Sequence, residues 1–177
     1  LVAVWGRDHP HVAVTHRGVV RLVSGGGEMQ PGAGDRVAHA SGVSLGGTTW
    51  DVWGPLLNGG TVVVLDREAM LSPDALARVL REQRVTSVFL TAAFFAQVAR
   101  QAPDTFAGVR DVLFGGEAAD AEAVRRVMAS SARPPASRKK RCHASRLEIR
   151  ITTFASVKPN ARIVSMQTAS NSASAAA

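Results

Sequence analysis

Three short apolar runs, separated by helical stretches, constrain this chain more than any other feature. The first, Thr61-Val62-Val63-Val64-Leu65, is β-branched and lies between Asn58-Gly59-Gly60 and Asp66, the pattern of a strand buried on both faces. The second covers residues 86–90, and the third covers residues 110–114 and stops at the Gly115-Gly116 turn. After the first run, Ser72-Pro73-Asp74 supplies a helix N-cap, a first-turn proline and an early acid. Leu76, Val79 and Leu80 follow at helical spacing, with Arg78, Arg81 and Glu82 on the opposite face. A second helix is expected over residues 92–101, with Phe95, Val98 and Ala99 on one face. A third is expected over residues 118–128, where Ala121, Val124 and Met128 are apolar. Strands that alternate with helices and lack polar alternation imply parallel βαβ units covered on both faces. The expected class is therefore α/β, with parallel βαβ layers. In such sheets ligands collect at the carboxyl ends of strands, which singles out Phe89-Leu90-Thr91 and Gly115-Gly116-Glu117.

Upstream the same alternation continues. Residues 11–16 read as a short strand ending in a cap, Thr15. A helix carrying Val19, Val20, Leu22 and Val23 comes next, stopped by Gly25-Gly26-Gly27. Residues 36–40 form a further candidate strand, and residues 48–57 a helix closed by Asn58-Gly59-Gly60. Trp50 and Trp53, three apart, share one face of that helix and are read as core packing.

At 177 residues the chain supports one domain with a sizeable core. Its net charge of +7 suggests a nucleic-acid binder until the charges are located. Residues 1–128 carry 12 basic and 13 acidic side chains, whereas residues 129–177 carry 9 basic and 1 acidic. All 16 glycines precede residue 129, and all three lysines (Lys139, Lys140, Lys158) follow it. The chain divides accordingly into a domain at 1–128 and a basic, Ser/Ala-rich tail at 129–177 that is expected to be disordered or out of frame. Arg138-Lys139-Lys140-Arg141 has no interleaved aromatic residues and reads as a solvated run. Nucleic acid is not the expected partner; a non-catalytic binding module whose basic tail contacts nucleic acid is the alternative reading.

Other chemistry is bounded by what the sequence holds. One cysteine, Cys142, excludes an internal disulfide and a cysteine-built zinc site. His9, His11 and His16 lack a helically spaced carboxylate partner, so no metal site is expected, and no nucleophile–base arrangement assigns a catalytic residue. No apolar run approaches the ~20 residues of a membrane span, and no leader pattern opens the sequence. A cytoplasmic setting without a membrane partner is the expectation. Gly25-Gly26-Gly27 is not followed by Lys-Ser/Thr and is no P-loop. Gly115-Gly116-Glu117 sits between strand and helix, where either a nucleotide contact or a plain βα turn fits the spacing.

The order of several segments resembles the adenylation domain of nonribosomal peptide synthetases, in the AMP-forming, adenylate-forming enzyme family. Residues 12–23 are similar to the segment after that family's phosphate loop, and Asp35-Arg36-Val37-Ala38-His39-Ala40 to the strand that follows. Residues 53–64 resemble its next helix and strand. Leu71-Ser72-Pro73, Val85-Thr86, Phe89-Leu90-Thr91 and Phe114-Gly115-Gly116-Glu117-Ala118 continue in register. The likeness covers about residues 12–128. It implies a fragment of the large N-terminal domain of an enzyme that activates an amino or other carboxylic acid with ATP and Mg2+. The resulting acyl-adenylate passes to the phosphopantetheine thiol of a carrier-protein domain.

By this resemblance Gly46, Gly47, Trp50, Phe89, Leu113 and Gly115 line the substrate side-chain pocket, and Gly116, Glu117 and Ala118 face the nucleotide. Three departures qualify the activity. The phosphate loop, Ser/Thr/Gly-rich and ending Pro-Lys-Gly in the family, is replaced by Trp5-Gly6-Arg7-Asp8-His9-Pro10-His11. The aspartate that pairs the substrate α-amine is replaced by Gly46, which permits an acid without that amine. The Tyr-Gly-Pro-Thr-Glu element and the C-terminal subdomain with its catalytic lysine have no counterpart. The chain is expected to be inactive alone.

Overall fold

The computed structural model describes residues 2–3, 12–25, 30–42, 47–116, 118, 120–131, 150–154 and 168–169. Two short strands, β1 (Val2–Ala3) and β2 (Val12–Ala13), pair antiparallel ahead of helix α1 (His16–Ser24). The chain continues through β3 (Arg36–His39), α2 (Gly47–Leu57), β4 (Thr61–Val64), α3 (Pro73–Glu82), β5 (Ser87–Thr91) and α4 (Ala92–Gln101). A 3-10 turn (Pro103–Phe106), β6 (Asp111–Gly115), α5 (Ala121–Ser131), β7 (Arg150–Phe154) and β8 (Thr168–Ala169) complete it. The main sheet has the order β4-β3-β5-β6-β7-β8, parallel from β4 to β7, with β8 antiparallel at the edge. The parallel α/β class read from the sequence is the class observed.

Hydroxyl caps convert strand into helix at the expected places. Thr15 Oγ1 accepts from the Gly18 N–H at 3.1 Å, Ser72 Oγ from Ala75 at 3.1 Å and Thr91 Oγ1 from Phe94 at 3.3 Å. Each satisfies one of the N–H groups that a helix start leaves without an intrahelical partner. At the other end of α2, the Asn58 side-chain amide donates to Gly54 O at 2.8 Å and to Val23 O at 2.7 Å. One residue thus closes α2 and ties it to the end of α1.

Period-two alternation along the parallel strands sorts the side chains into two cores. On one face Ala38, Val63, Val88, Leu90, Val112 and Phe114 meet α3, α4, α5 and the 3-10 turn. Phe95 is the centre of this layer: fully buried, it stacks on Phe114 with ring centroids 4.1 Å apart and on Phe106 at 5.7 Å. On the opposite face a smaller cluster joins Val37 of β3, Trp50 of α2, Leu113 of β6 and the half-buried Phe89 of β5. Trp53 is only half-buried, so the two tryptophans of α2 do not share one environment.

A polar network locks the amino ends of the strands. The Arg110 guanidinium donates two bonds to Asp35, both 2.9 Å, and a third from Nε to Asp111 Oδ2 at 2.9 Å. Ser87 Oγ also donates to Asp111 Oδ2, at 3.0 Å. Burial alone would raise the Asp35 carboxyl; the bonds from Arg110 and from the Gly32 N–H outweigh it and hold the group below its ordinary value.

Several element ends differ from the sequence expectation by one to three residues. The strands expected over 86–90 and 110–114 begin one residue later, although Thr86 still pairs through its backbone with Arg36, Arg110 and Asp111. The last helix starts at Ala121 rather than 118, because Asp120 Oδ1 accepts from the N–H groups of Glu122 and Ala123 and sets the cap there. That helix runs to Ser131, across the compositional break at residue 129, and β7 pairs in register alongside β6.

Candidate functional site

The sheet delivers β3, β5 and β6 in parallel, so their carboxyl ends open to the same side. Phe89 and Leu113 are direct partners in the β5–β6 register, and Thr91 is opposite Gly115 two residues further on. Leu113 and Gly115 therefore lie on the face that carries Phe89 and Val37. Helix α2 lies across this face, and its Trp50, only 5% exposed, packs into the same cluster.

The start of α2 fits around Phe89. A Cβ added at Gly47 would lie 2.5 Å from Phe89 Cε1, so the aromatic ring rests on bare backbone that only glycine leaves open. Gly47, Trp50, Phe89 and Leu113 come together as one wall, with Gly115 above Leu113 at the end of β6. Gly116 follows with φ of +99°, a left-handed conformation that turns the chain out of the sheet, and Ala118 beyond it is exposed. Gly46 and Glu117, and the segment 5–11 in the place of a phosphate loop, lie outside the described residues.

Sequence reading passed over one polar pair beside this wall. His39, at the carboxyl end of β3, places Nδ1 3.1 Å from Asp51 Oδ2 on α2. Asp51 is wholly buried, and burial pushes its carboxyl above the ordinary range while the contact with His39 pulls it back. The available signal was that Asp51 is the lone charged residue in an otherwise uncharged helix. What hid the partner was topology: His39 becomes a neighbour only once α2 folds across β3.

Other features of the described residues carry no such convergence. An open groove of about 410 Å3 lies along the β4 edge, lined by Arg36, Val62, Val63, Val64, Asp66, Val79 and Gln83. It is away from the carboxyl-end cluster, and Arg36 within it is already engaged with Gln83. Among the described residues no group of three or more His, Cys, Asp or Glu side chains is placed to hold a metal ion. No helix among them is long and apolar enough to cross a membrane.

A parallel sheet with an apolar wall at its strand ends and a glycine turn after β6 is an α/β arrangement with a candidate ligand site at the carboxyl ends of the strands. The family model for AMP-binding enzymes matches residues 11–136, and the chain belongs to that family. It is 37% identical over 112 residues to malpibaldin synthetase of Mortierella alpina, covering 63% of this chain and 2% of the relative. It is also 37% identical over 106 residues to the nonribosomal peptide synthetase TES of Alternaria alternata, covering 59% of this chain and 2% of that protein. Among solved structures, PA1221, an NRPS protein containing adenylation and PCP domains, superposes with a TM-score of 0.73 at 25% identity, covering 96% of this chain and 31% of that one. The chain thus spans a small fraction of the proteins it matches.

Proposed function

We propose that this chain is the acid-binding portion of an adenylation domain of a nonribosomal peptide synthetase, and that it does not complete adenylation alone. The observation that carries the reading is the convergence of Gly47, Trp50, Phe89 and Leu113 on one sheet face at the carboxyl ends of β5 and β6. In the full reaction a substrate carboxylate oxygen attacks the α-phosphorus of ATP and pyrophosphate leaves. The carrier's phosphopantetheine thiol then displaces AMP from the acyl carbon. This chain's residues supply the first requirement, a water-poor wall that orients the acyl group. Gly116 and Ala118, with Glu117 between them, are the assigned nucleotide-facing segment. No described residue is assigned to magnesium, and none to proton transfer. The substitution at residues 5–11 removes the lysine and hydroxyls that would neutralise phosphate charge, which is where most phosphoryl-transfer catalysis resides.

The wall also bears on substrate class. Gly46 offers no carboxylate to an α-amine, and Asp51, the carboxylate of α2, is engaged with His39. A substrate ammonium there would lose its charge partner, a costly desolvation. Hydroxy or aryl acids therefore fit this wall better than amino acids.

Acyl-sulfamoyl adenosines with graded acyl groups, titrated against the full chain, test both statements. Saturable binding is expected, tighter for acyl groups without an α-amine and absent for the nucleoside lacking an acyl group. Phe89→Ala should shift preference toward a larger acyl group by about tenfold, the scale of a methylene or two in an apolar pocket. Equal binding with and without the acyl group would refute the pocket assignment.

A further inference from the structure

The buried pair beside the pocket has no role in the chemistry described so far. Asp51 is fully buried, Oδ2 takes the His39 contact, and Oδ1 has no hydrogen-bond partner among the described residues. Ser41, just beyond β3, comes close enough to ease the burial of the carboxylate without making a well-formed bond to Oδ1. A buried carboxylate is tolerated only when paired, and His39, whose side chain is 13% exposed, is the pairing group. The pair joins two elements, since His39 is in β3 and Asp51 is in α2. Asp51 also follows Trp50 directly, so the same turn of α2 that holds the pocket wall holds the buried charge.

Among the described residues, the elements packed against the pair carry few other charges. Helix α2 contains no second titratable side chain, and β4 and β5 contain none. On β3, Arg36 is committed to Gln83. On α1, His16, Arg17 and Arg21 are exposed. With a neutral imidazole the pair leaves a net negative charge buried against Trp50; with one more proton it becomes an internally neutral ion pair. The second state costs less to bury.

We propose that His39 is a positioning residue for the acid pocket: through Asp51 it docks α2 on β3, and taking up a proton tightens that docking and the Trp50 wall with it. The role of the wall in holding an acid rests on the proposed function; the docking itself does not.

Tryptophan fluorescence tests the docking without any ligand. In the full chain at low micromolar concentration, Trp5→Phe and Trp53→Phe leave Trp50 as the reporter. Imidazole is the side chain that ordinarily changes charge between pH 5 and 8, and acrylamide quenching of Trp50 should be about twofold stronger at pH 8 than at pH 5. His39→Asn keeps a neutral N–H donor near Nδ1 but cannot take the proton; it should melt cooperatively and show no transition. His16→Asn should titrate like the parent. If His39→Asn does not fold, Asp51→Asn decides the matter, and its quenching should be flat with pH. A flat parent, or a parent-like transition in His39→Asn or Asp51→Asn, overturns the proposal. Loss of acyl-adenosine binding with the transition intact would instead count against the proposed function.

Discussion

Replacing Phe95 with alanine is expected to cost about 4 kcal/mol, within the range measured for removing a buried aromatic ring from a close-packed core. Phe95 is fully buried between Phe114 and Phe106, its ring nearly parallel to that of Phe114 at 6°. The loss combines lost transfer energy, a cavity and two broken ring contacts, and neither neighbour can collapse far. Phe114 is in the middle of the sheet, and Phe106 is in a short turn held by its own backbone bonds. Domains of this size have only about 5–15 kcal/mol in total, so the variant should be largely unfolded well below the parent's melting temperature. Denaturant titration followed by circular dichroism measures this. Phe95→Leu, which preserves most of the volume, should lose less than half as much. Equal losses for the two variants would assign the whole cost to the ring contacts and none to the filled volume.

Arg110→Ala should rank next, at about 2 kcal/mol. Breaking a buried pair costs roughly 3–5 kcal/mol; the figure is reduced here because the guanidinium is 38% exposed and water screens it. The remaining cost comes from Asp35 and Asp111, at 13% and 5% exposure, which both lose the same partner. Arg110→Lys should recover only part, since an ammonium cannot reproduce the two-pronged bond to Asp35. The pH dependence follows from the depressed Asp35 carboxyl. A carboxyl lowered by folding adds stability above its unfolded value near 3.9, and that stability is lost as pH falls through the lower folded value. Acid titrations of parent and Arg110→Ala should therefore converge at low pH and separate above about pH 4. A constant gap across the whole range would assign the loss to packing instead of charge.

Particular residues show how far the sequence could be read. Ser72-Pro73 specified the start of α3 because a cap, a fixed φ and an early acid act within a few residues of one another. The boundaries 92–101 of α4 were legible from the spacing of Phe95, Val98 and Ala99, whereas its cap, Thr91, is seen only in the structure. The start of α5 was missed by three residues because a competing cap, Asp120, lay inside the expected helix. Asp35–Arg110 and His39–Asp51 were not legible at all. Their members are 75 and 12 residues apart and meet only through the order in which the strands are laid down. Phe89 and Leu113 were assigned to one pocket by family resemblance; their direct pairing across β5 and β6 adds a physical reason that the sequence did not contain. The crowding of Gly47 by Phe89 is of the same kind, visible only once helix and sheet are in contact.

The most direct test of the whole account is ATP–pyrophosphate exchange by the purified 177-residue chain across a panel of hydroxy, aryl and amino acids. No exchange above the enzyme-free blank for any acid, alongside saturable binding of an acyl-sulfamoyl adenosine, is the expected result. Acid-dependent exchange would contradict it, because phosphate chemistry would then be running without the loop on which the account says it depends.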